Sequence, residues 1–302
     1  MTRSKSVRII EVGPRDGLQN EPNFIATDVK VELINLLSQS GLKSIETGAF
    51  VSPKWVPKMA DSGDVFKNIT RHSGITYSAL TPNIKGFNDA MTVNADEVAV
   101  FAAASEAFSQ KNINCSIDES ITRFEPVMVA AKKLGTPVRG YISCVLGCPY
   151  QGHVPLESVT HVAKKLLDMG CYEISLGDTI GCGTPGAAME MVLATRKVVP
   201  VEQIAVHFHD TYGQALANIF AVLDAGVAVV DCSVAGLGGC PYANGASGNV
   251  ATEDVLYMLN GLGIDTGVNI DKLIGASLYI SNALGRSPQS RLAKIYQAKK
   301  ST

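Results

Sequence analysis

His207 and His209 stand either side of a single phenylalanine, and they are two of only five histidines in the chain. In an extended segment, residues i and i+2 point to one face, so both imidazoles project together. Side by side in a core and without partners they would cost desolvation. A hydrogen-bonded structural pair or a shared cation could answer that cost. The metal reading is adopted here, because neutral imidazole is the commonest metal ligand. A second cluster, Glu11-Val-Gly-Pro-Arg-Asp-Gly-Leu-Gln19, carries Arg15, Asp16 and Gln19 out of a glycine-proline turn. A carboxylate there can bind a cation and a guanidinium can hold a developing oxyanion; the plainer alternative is a solvated ion pair. The third cluster, residues 236–249, is dense in glycine, contains Cys240 and ends on Asn249, whose side-chain carbonyl is a further oxygen donor. Such a segment suits either a mobile flap or close approach of backbone to a ligand, against the alternative of a loose connection with an inert thiol.

These clusters need elements to position them. Short β-branched and apolar runs predict strands at Val7–Val12, Ser44–Glu46, Thr76–Leu80, Glu97–Phe101, Arg139–Val145, Tyr172–Leu176, Ile204–His209 and Val229–Val234. Between them, Val29–Ser40, Ser120–Leu134, Leu156–Met169, Ala187–Val198 and Ala215–Ala225 carry the three- and four-residue steps of helices. Gly41, Gly135, Gly170 and Gly226 stand where helices would end in a left-handed residue. Eight strands alternating with helices predict an α/β fold, a (β/α)8 TIM barrel. Periodicity alone does not separate it from a doubly wound open sheet. The positions of the unusual residues favour the barrel, since they gather at the C-terminal ends of strands, where such barrels build active sites. Glu46 and Asp178 close two of these strands as buried carboxylates, either structural or functional. Residues 181–186 match the pattern G-x-G-x-x-G, but they follow the sixth strand rather than the first strand of a βαβ unit, so we read them as a decoy for dinucleotide binding. One domain is expected over 1–302, with a barrel at about 7–268 and a two-helix extension at about 269–302.

Composition narrows the class. The 302 residues are 46% hydrophobic and 18% charged with net charge −2, which excludes disorder and argues against a nucleic-acid partner. No apolar run approaches the roughly 18 residues of a membrane-spanning helix. Seven cysteines without framework spacing suit a reducing compartment, and residues 1–7 lack a secretory core, so a cytoplasmic protein is expected.

The motifs resemble one family, the 3-hydroxy-3-methylglutaryl-CoA lyases, within the metal-dependent lyases and Claisen-type synthases built on a TIM barrel. The resemblance runs from about Val7 to Gly267. It is carried by EVGPRDGLQNE (11–21), FVSPKWVP (50–57), KNINCSIDES (111–120), GCPYQG (147–152), SLGDTIGCGTPG (175–186), HFHDTYGQALAN (207–218) and VAGLGGCPYANGASGNVATED (234–254). It implies that Asp16, His207, His209 and Asn249 hold a divalent cation, Mg2+ or Mn2+. It further implies that Arg15 stabilises an oxyanion, that Cys240 is the loop cysteine, and that Gln19, Glu46, Tyr141, Ser175, Asp178 and Thr179 line the substrate cavity. The activity implied is retro-Claisen cleavage of an acyl-CoA into acetyl-CoA and acetoacetate by a homodimer. His207 and Asp16 both remain candidates for the base. Gly48 and Ala49 depart from the hydroxyl residues usual in the family, and the cysteine often found near its C-terminus is missing. A lyase for a related 3-hydroxy acyl-CoA, a condensing synthase and an inactive metal-stabilised scaffold are the competing readings.

Overall fold

The computed structural model describes residues 3–239 and 247–300. The β-branched runs form eight parallel strands: β1 (Arg8–Glu11), β2 (Ser44–Ala49), β3 (Thr76–Leu80), β4 (Glu97–Ala103), β5 (Val138–Ser143), β6 (Glu173–Asp178), β7 (Ile204–Phe208) and β8 (Val229–Cys232). Each pairs with the next and β8 pairs with β1, closing the barrel. The expected TIM barrel is therefore the fold. Helices α1 (Thr27–Ser38), α2 (Ser62–Asn68), α3 (Ile84–Thr92), α4 (Glu106–Ile113), α5 (Ile117–Thr122), α6 (Glu125–Leu134), α7 (Leu156–Met169), α8 (Pro185–Thr195), α9 (Ala215–Leu223) and α10 (Thr252–Gly261) surround it. No helix among the described residues is long and apolar enough to cross a membrane.

Several boundaries differ from those predicted, each for a local reason. The helix expected over Ser120–Leu134 is two, α5 and α6, because Pro126 near the start of α6 cannot continue a helix from the preceding turn. Strand β2 runs three residues past Glu46, with a register shift between Glu46 and Gly48. Gly48 is required there, since a Cβ would lie 2.7 Å from Ser62 Oγ. Strand β7 stops at Phe208, and His209 continues its line only through an isolated bridge to Asn249. Helices α2, α3, α4 and α10 were outside the predicted set. The expected terminators do adopt positive φ: 95° at Gly41, 71° at Gly135, 107° at Gly170 and 89° at Gly226.

The apolar core lies between strands and helices, where Leu33, Ile34 and Leu37 of α1, Leu166 of α7 and Val222 of α9 are wholly buried. The barrel interior is different in kind. Arg139 of β5 reaches Asp231 of β8, and Arg8 of β1 reaches Glu173 of β6. These strands are not neighbours, so the pairs cross the inside of the barrel. Four apolar residues from this side, Ile10, Val12, Ala205 and Val229, form a small cluster of their own.

The two predicted C-terminal helices are α11 (Ile270–Ala283) and α12 (Arg291–Lys300). The backbone N–H of Asn269 donates to Ser40 O (2.7 Å), which ties the start of α11 to the end of α1. The turn after α11 reaches the barrel mouth, where Gln289 N donates to Ala235 O (2.8 Å) and Arg286 pairs with Glu21 at 2.5 Å.

Candidate active site and metal centre

The turn after β1 is a π-type turn, Gly13–Gly17. The Val12 carbonyl accepts from the N–H groups of Arg15 (3.2 Å), Asp16 (2.8 Å) and Gly17 (3.2 Å). Glycine is needed at both ends: a Cβ on Gly13 would lie 2.6 Å from Glu11 Oε1, and one on Gly17 2.6 Å from Leu237 Cβ. The outcome is that Arg15 and Asp16 face the mouth of the barrel from a turn with no freedom to tilt.

Arg15 is fixed on two sides. Its Nε donates to Glu46 Oε2 (2.7 Å) and its Nη1 to Asp16 Oδ1 (2.7 Å), while the guanidinium lies 5.8 Å from the Tyr141 ring centroid. Burial opposes the charge on Arg15, but Glu46 and Asp16 hold it firmly protonated. Burial pushes the Glu46 carboxyl up, against the pull of Arg15, and its Oε1 is buried without a partner. The second Asp16 oxygen accepts from Asn249 Nδ2 (2.7 Å) and lies 3.9 Å from His207 Nε2.

Asp16, His207 and His209 each offer a donor atom, all within 4.8 Å of one another. The two imidazole rings are 5.3 Å apart, side by side as alternation along β7 requires. Burial works against ionised Asp16, yet Arg15 and the two histidines hold its carboxyl down at about 2. Burial, and then the neighbouring His207, lower His209 to about 4, which keeps it neutral with a free lone pair. A permanent carboxylate beside a neutral imidazole is a donor set suited to a divalent cation. The buried Nδ1 of His209 has no partner in the protein. These residues fit the group that their types suggested.

The other predicted residues fall around this centre with their polar atoms differently engaged. Ser175 Oγ donates to Asp231 Oδ2 (2.7 Å), and Thr179 Oγ1 accepts from Cys144 N (2.9 Å). Asp178 accepts from the N–H groups of Cys182 (3.2 Å) and Gly183 (2.8 Å), so it shapes the turn after β6. That turn is the G-x-G-x-x-G match, and its first two glycines have packing reasons. A Cβ on Gly181, at φ +64°, would lie 2.8 Å from His209 O, and one on Gly183 would lie 2.9 Å from Asp178 Oδ2. Gln19 carries a buried Oε1 without a partner. Cys240 lies outside the described residues.

Sequence reasoning missed Asp231, Arg139 and Glu11. Asp231 stands 3.5 Å from His207 Nδ1 and is gripped by both terminal nitrogens of Arg139, at 3.0 and 2.7 Å. Glu11 Oε1 accepts from Gly13 N and Val234 N, both at 2.8 Å, joining the Arg15–Asp16 turn to the segment after β8. The available signal was a charge inside an otherwise apolar strand.

A closed parallel barrel whose C-terminal mouth gathers an arginine, a carboxylate and two imidazoles defines a TIM-barrel enzyme with a place for a divalent cation. Residues 6–280 match the HMGL-like family model, and the chain belongs to that family. It is 59% identical to the mitochondrial hydroxymethylglutaryl-CoA lyase of Bos taurus over 293 residues, covering 97% of this chain and 90% of that protein. Its fold is similar to the crystal structure of hydroxymethylglutaryl-CoA lyase from Pseudomonas aeruginosa, with TM-score 0.97 and 60% identity over 99% of this chain and 100% of that one. It is also similar to an HMG-CoA lyase from Acinetobacter baumannii in complex with coenzyme A and 3-methylmalate, with TM-score 0.92 and 38% identity over 97% and 96% of the two chains.

Proposed function

We propose that the protein cleaves 3-hydroxy-3-methylglutaryl-CoA into acetyl-CoA and acetoacetate. The observation that carries this reading is the placement of the Arg15 guanidinium against Asp16 beside His207 and His209. In a retro-Claisen step the C3 hydroxyl loses its proton, the C2–C3 bond breaks, and the electron pair moves onto the thioester as an enolate. Arg15, held by Glu46 and Asp16, donates to the thioester oxygen as negative charge grows there. Asp16 and His207, whose facing atoms lie 3.9 Å apart, are the two candidates to take the hydroxyl proton. Asp16, His207, His209 and Asn249 would hold a magnesium or manganese ion, which when bound polarises the hydroxyl and fixes its orientation. Gln19, Glu46, Tyr141, Ser175, Asp178 and Thr179 form the wall against which the acyl group lies. The coenzyme A bound by the Acinetobacter baumannii relative supports an acyl-CoA as substrate.

Cys240 belongs to the proposal through the family resemblance, as donor of the proton that converts the acetyl enolate to acetyl-CoA. Cys240→Ser should keep metal affinity and lose on the order of 10²–10⁴ in turnover, the range for a positioned proton donor. The same reading takes the chain as one domain, with a barrel at about 7–268 and an extension at about 269–302, acting as a cytoplasmic homodimer. The tie between Asn269 and Ser40 supports the single domain; sedimentation of the purified protein tests the dimer.

The central experiment is release of acetoacetate from 3-hydroxy-3-methylglutaryl-CoA before and after chelation, then with Mg2+ or Mn2+ restored. Turnover that stops with chelator and returns with metal is expected. No acetoacetate under any condition would sink the lyase, and turnover indifferent to chelation would sink the cation.

A further inference from the structure

His207 has two faces, and the structure gives each a different neighbour. Nε2 points toward Asp16, 3.9 Å from its Oδ2, within the group of donor atoms suited to a cation. Nδ1 points the other way, into the barrel, 3.5 Å from Asp231 Oδ2. That distance is long for a hydrogen bond, and Nδ1 has no closer partner although it is buried. Asp231 has nowhere to move. Arg139 grips both its oxygens, Ser175 Oγ donates to Oδ2 at 2.7 Å, and Arg139 is itself held through Nε by Glu173 Oε1 at 2.7 Å. Arg8 reaches Glu173 from β1. Arg139 and Asp231 are each about 1% exposed, so water does not compete for these contacts. The chain of charges Arg8–Glu173–Arg139–Asp231 thus crosses the barrel interior and ends on the back of a single imidazole.

Resting on the proposed cation site, we infer that Asp231 and Arg139 are positioning residues for His207. Asp231 accepts the Nδ1 proton, and Arg139 clamps Asp231 so that the Nε2 lone pair faces Asp16. An imidazole has one proton to place when neutral, so a carboxylate on one nitrogen leaves the other bare. Tyr141 limits the remaining rotation, its ring standing edge-on to His207 at 6.3 Å between centroids. The arrangement would matter to metal binding even with every metal ligand intact, because a histidine in the other tautomer presents an N–H where a lone pair is needed.

The test has two arms. The first is the 15N spectrum of histidine-labelled, metal-free protein at alkaline pH, with the His207 signals assigned by their absence in His207→Gln. A proton on Nδ1 and a bare Nε2 are expected; the opposite tautomer would overturn the inference. The second is Mn2+ affinity of the double variant Asp231→Asn with Arg139→Gln, which removes both charges together and leaves Glu173 its contact with Arg8. A rise of about 10–100-fold in Kd is expected, the range for loss of a group that orients a metal ligand. If the double variant does not fold, the tautomer of the unaltered protein decides alone. An unaltered protein that binds Mn2+ yet yields no acetoacetate would overturn the lyase reading and not this one. An unaltered protein that binds and cleaves, beside a folded double variant that binds Mn2+ as tightly, would overturn this inference and not the lyase.

Discussion

Two layers of this barrel are both buried and yet are built on opposite rules. Between strands and helices, side chains such as Leu33, Leu37, Leu166 and Val222 pack without exposure and without polar atoms. Inside the strands, Arg8, Glu173, Arg139, Asp231 and Ser175 form a hydrogen-bonded column that leads to His207. Barrels of this type are ordinarily filled by layers of branched apolar side chains. Here Ile10, Val12, Ala205 and Val229 form only a small cluster of that kind, set among charged neighbours. The contrast separates two tasks. Apolar burial stabilises at roughly 25 cal/mol per Å2 with little regard for direction. A buried ion pair adds little net stability but fixes where its partners point, and is costly to break from one side. The outer layer holds the barrel closed, and the column aims the groups at its mouth.

The sharpest way to break that division is to remove a charge at the mouth to which the column leads. Arg15→Ala should lower kcat by about 10²–10³ or more, the usual cost of losing one oxyanion donor. Arg15→Lys should not restore it, because an ammonium cannot reach Glu46 and Asp16 with one planar fork. Mn2+ affinity should change little in Arg15→Ala, while the melting temperature should fall, because the buried Glu46 carboxyl loses its counterion. Glu46, whose carboxyl burial already pushes up, can take a proton once its counterion is gone. An active Arg15→Ala enzyme would remove the oxyanion role. By contrast, Asp16→Ala, His209→Ala and Asn249→Ala should each weaken Mn2+ binding in a titration, and undiminished affinity in all three would remove the metal centre.

The complementary break lies in the outer layer. Leu166 of α7 is fully buried against the strands. Leu166→Ala should cost roughly 2–5 kcal/mol of folding stability, the range for truncating a core leucine. Turnover per folded molecule and Mn2+ affinity should stay near the unaltered values. Urea unfolding together with activity below the transition checks this, and a loss of kcat larger than the loss of folded protein would show that the two layers are not separable.

How far the sequence foretold this division depends on which residues carried the signal. The eight strands were legible because β-branched runs recur with helical periodicity between them, and Leu156–Met169 was predicted to its ends. The imidazole pair was legible from alternation alone. Two kinds of feature were not. Strand β2 was cut short because Gly48 and Ala49 are poor strand formers, although Gly48 is needed where Ser62 packs against it. The column was missed because its members lie far apart in sequence: Arg139 and Asp231 are 92 positions apart and on strands that do not pair. A single charge in an apolar strand is visible in sequence, but its partner is decided only by closure of the barrel.

The finest test concerns Glu11, which sits where the two layers meet at the end of β1. Its carboxyl accepts from Gly13 N and Val234 N at 2.8 Å and from Thr252 Oγ1 at 2.7 Å. Burial raises it from an ordinary 4.5 to about 8, because those three donors do not offset the desolvation. The sign follows from where the proton binds more tightly. The folded protein holds it and the unfolded chain releases it near 4.5, so this contribution to stability is fully present below about pH 4.5 and is lost as pH rises through about 8. Glu11→Gln keeps the same shape and a carbonyl to accept from the two backbone N–H groups, while its amide can donate to Thr252. Its stability should therefore match the unaltered protein near pH 4.5 and exceed it by on the order of 4 kcal/mol near pH 8. Because the Arg15–Asp16 turn is held in the same way, kcat should be nearly unchanged. Urea midpoints across this pH range measure the effect. Parallel curves would mean that Glu11 is ionised when folded.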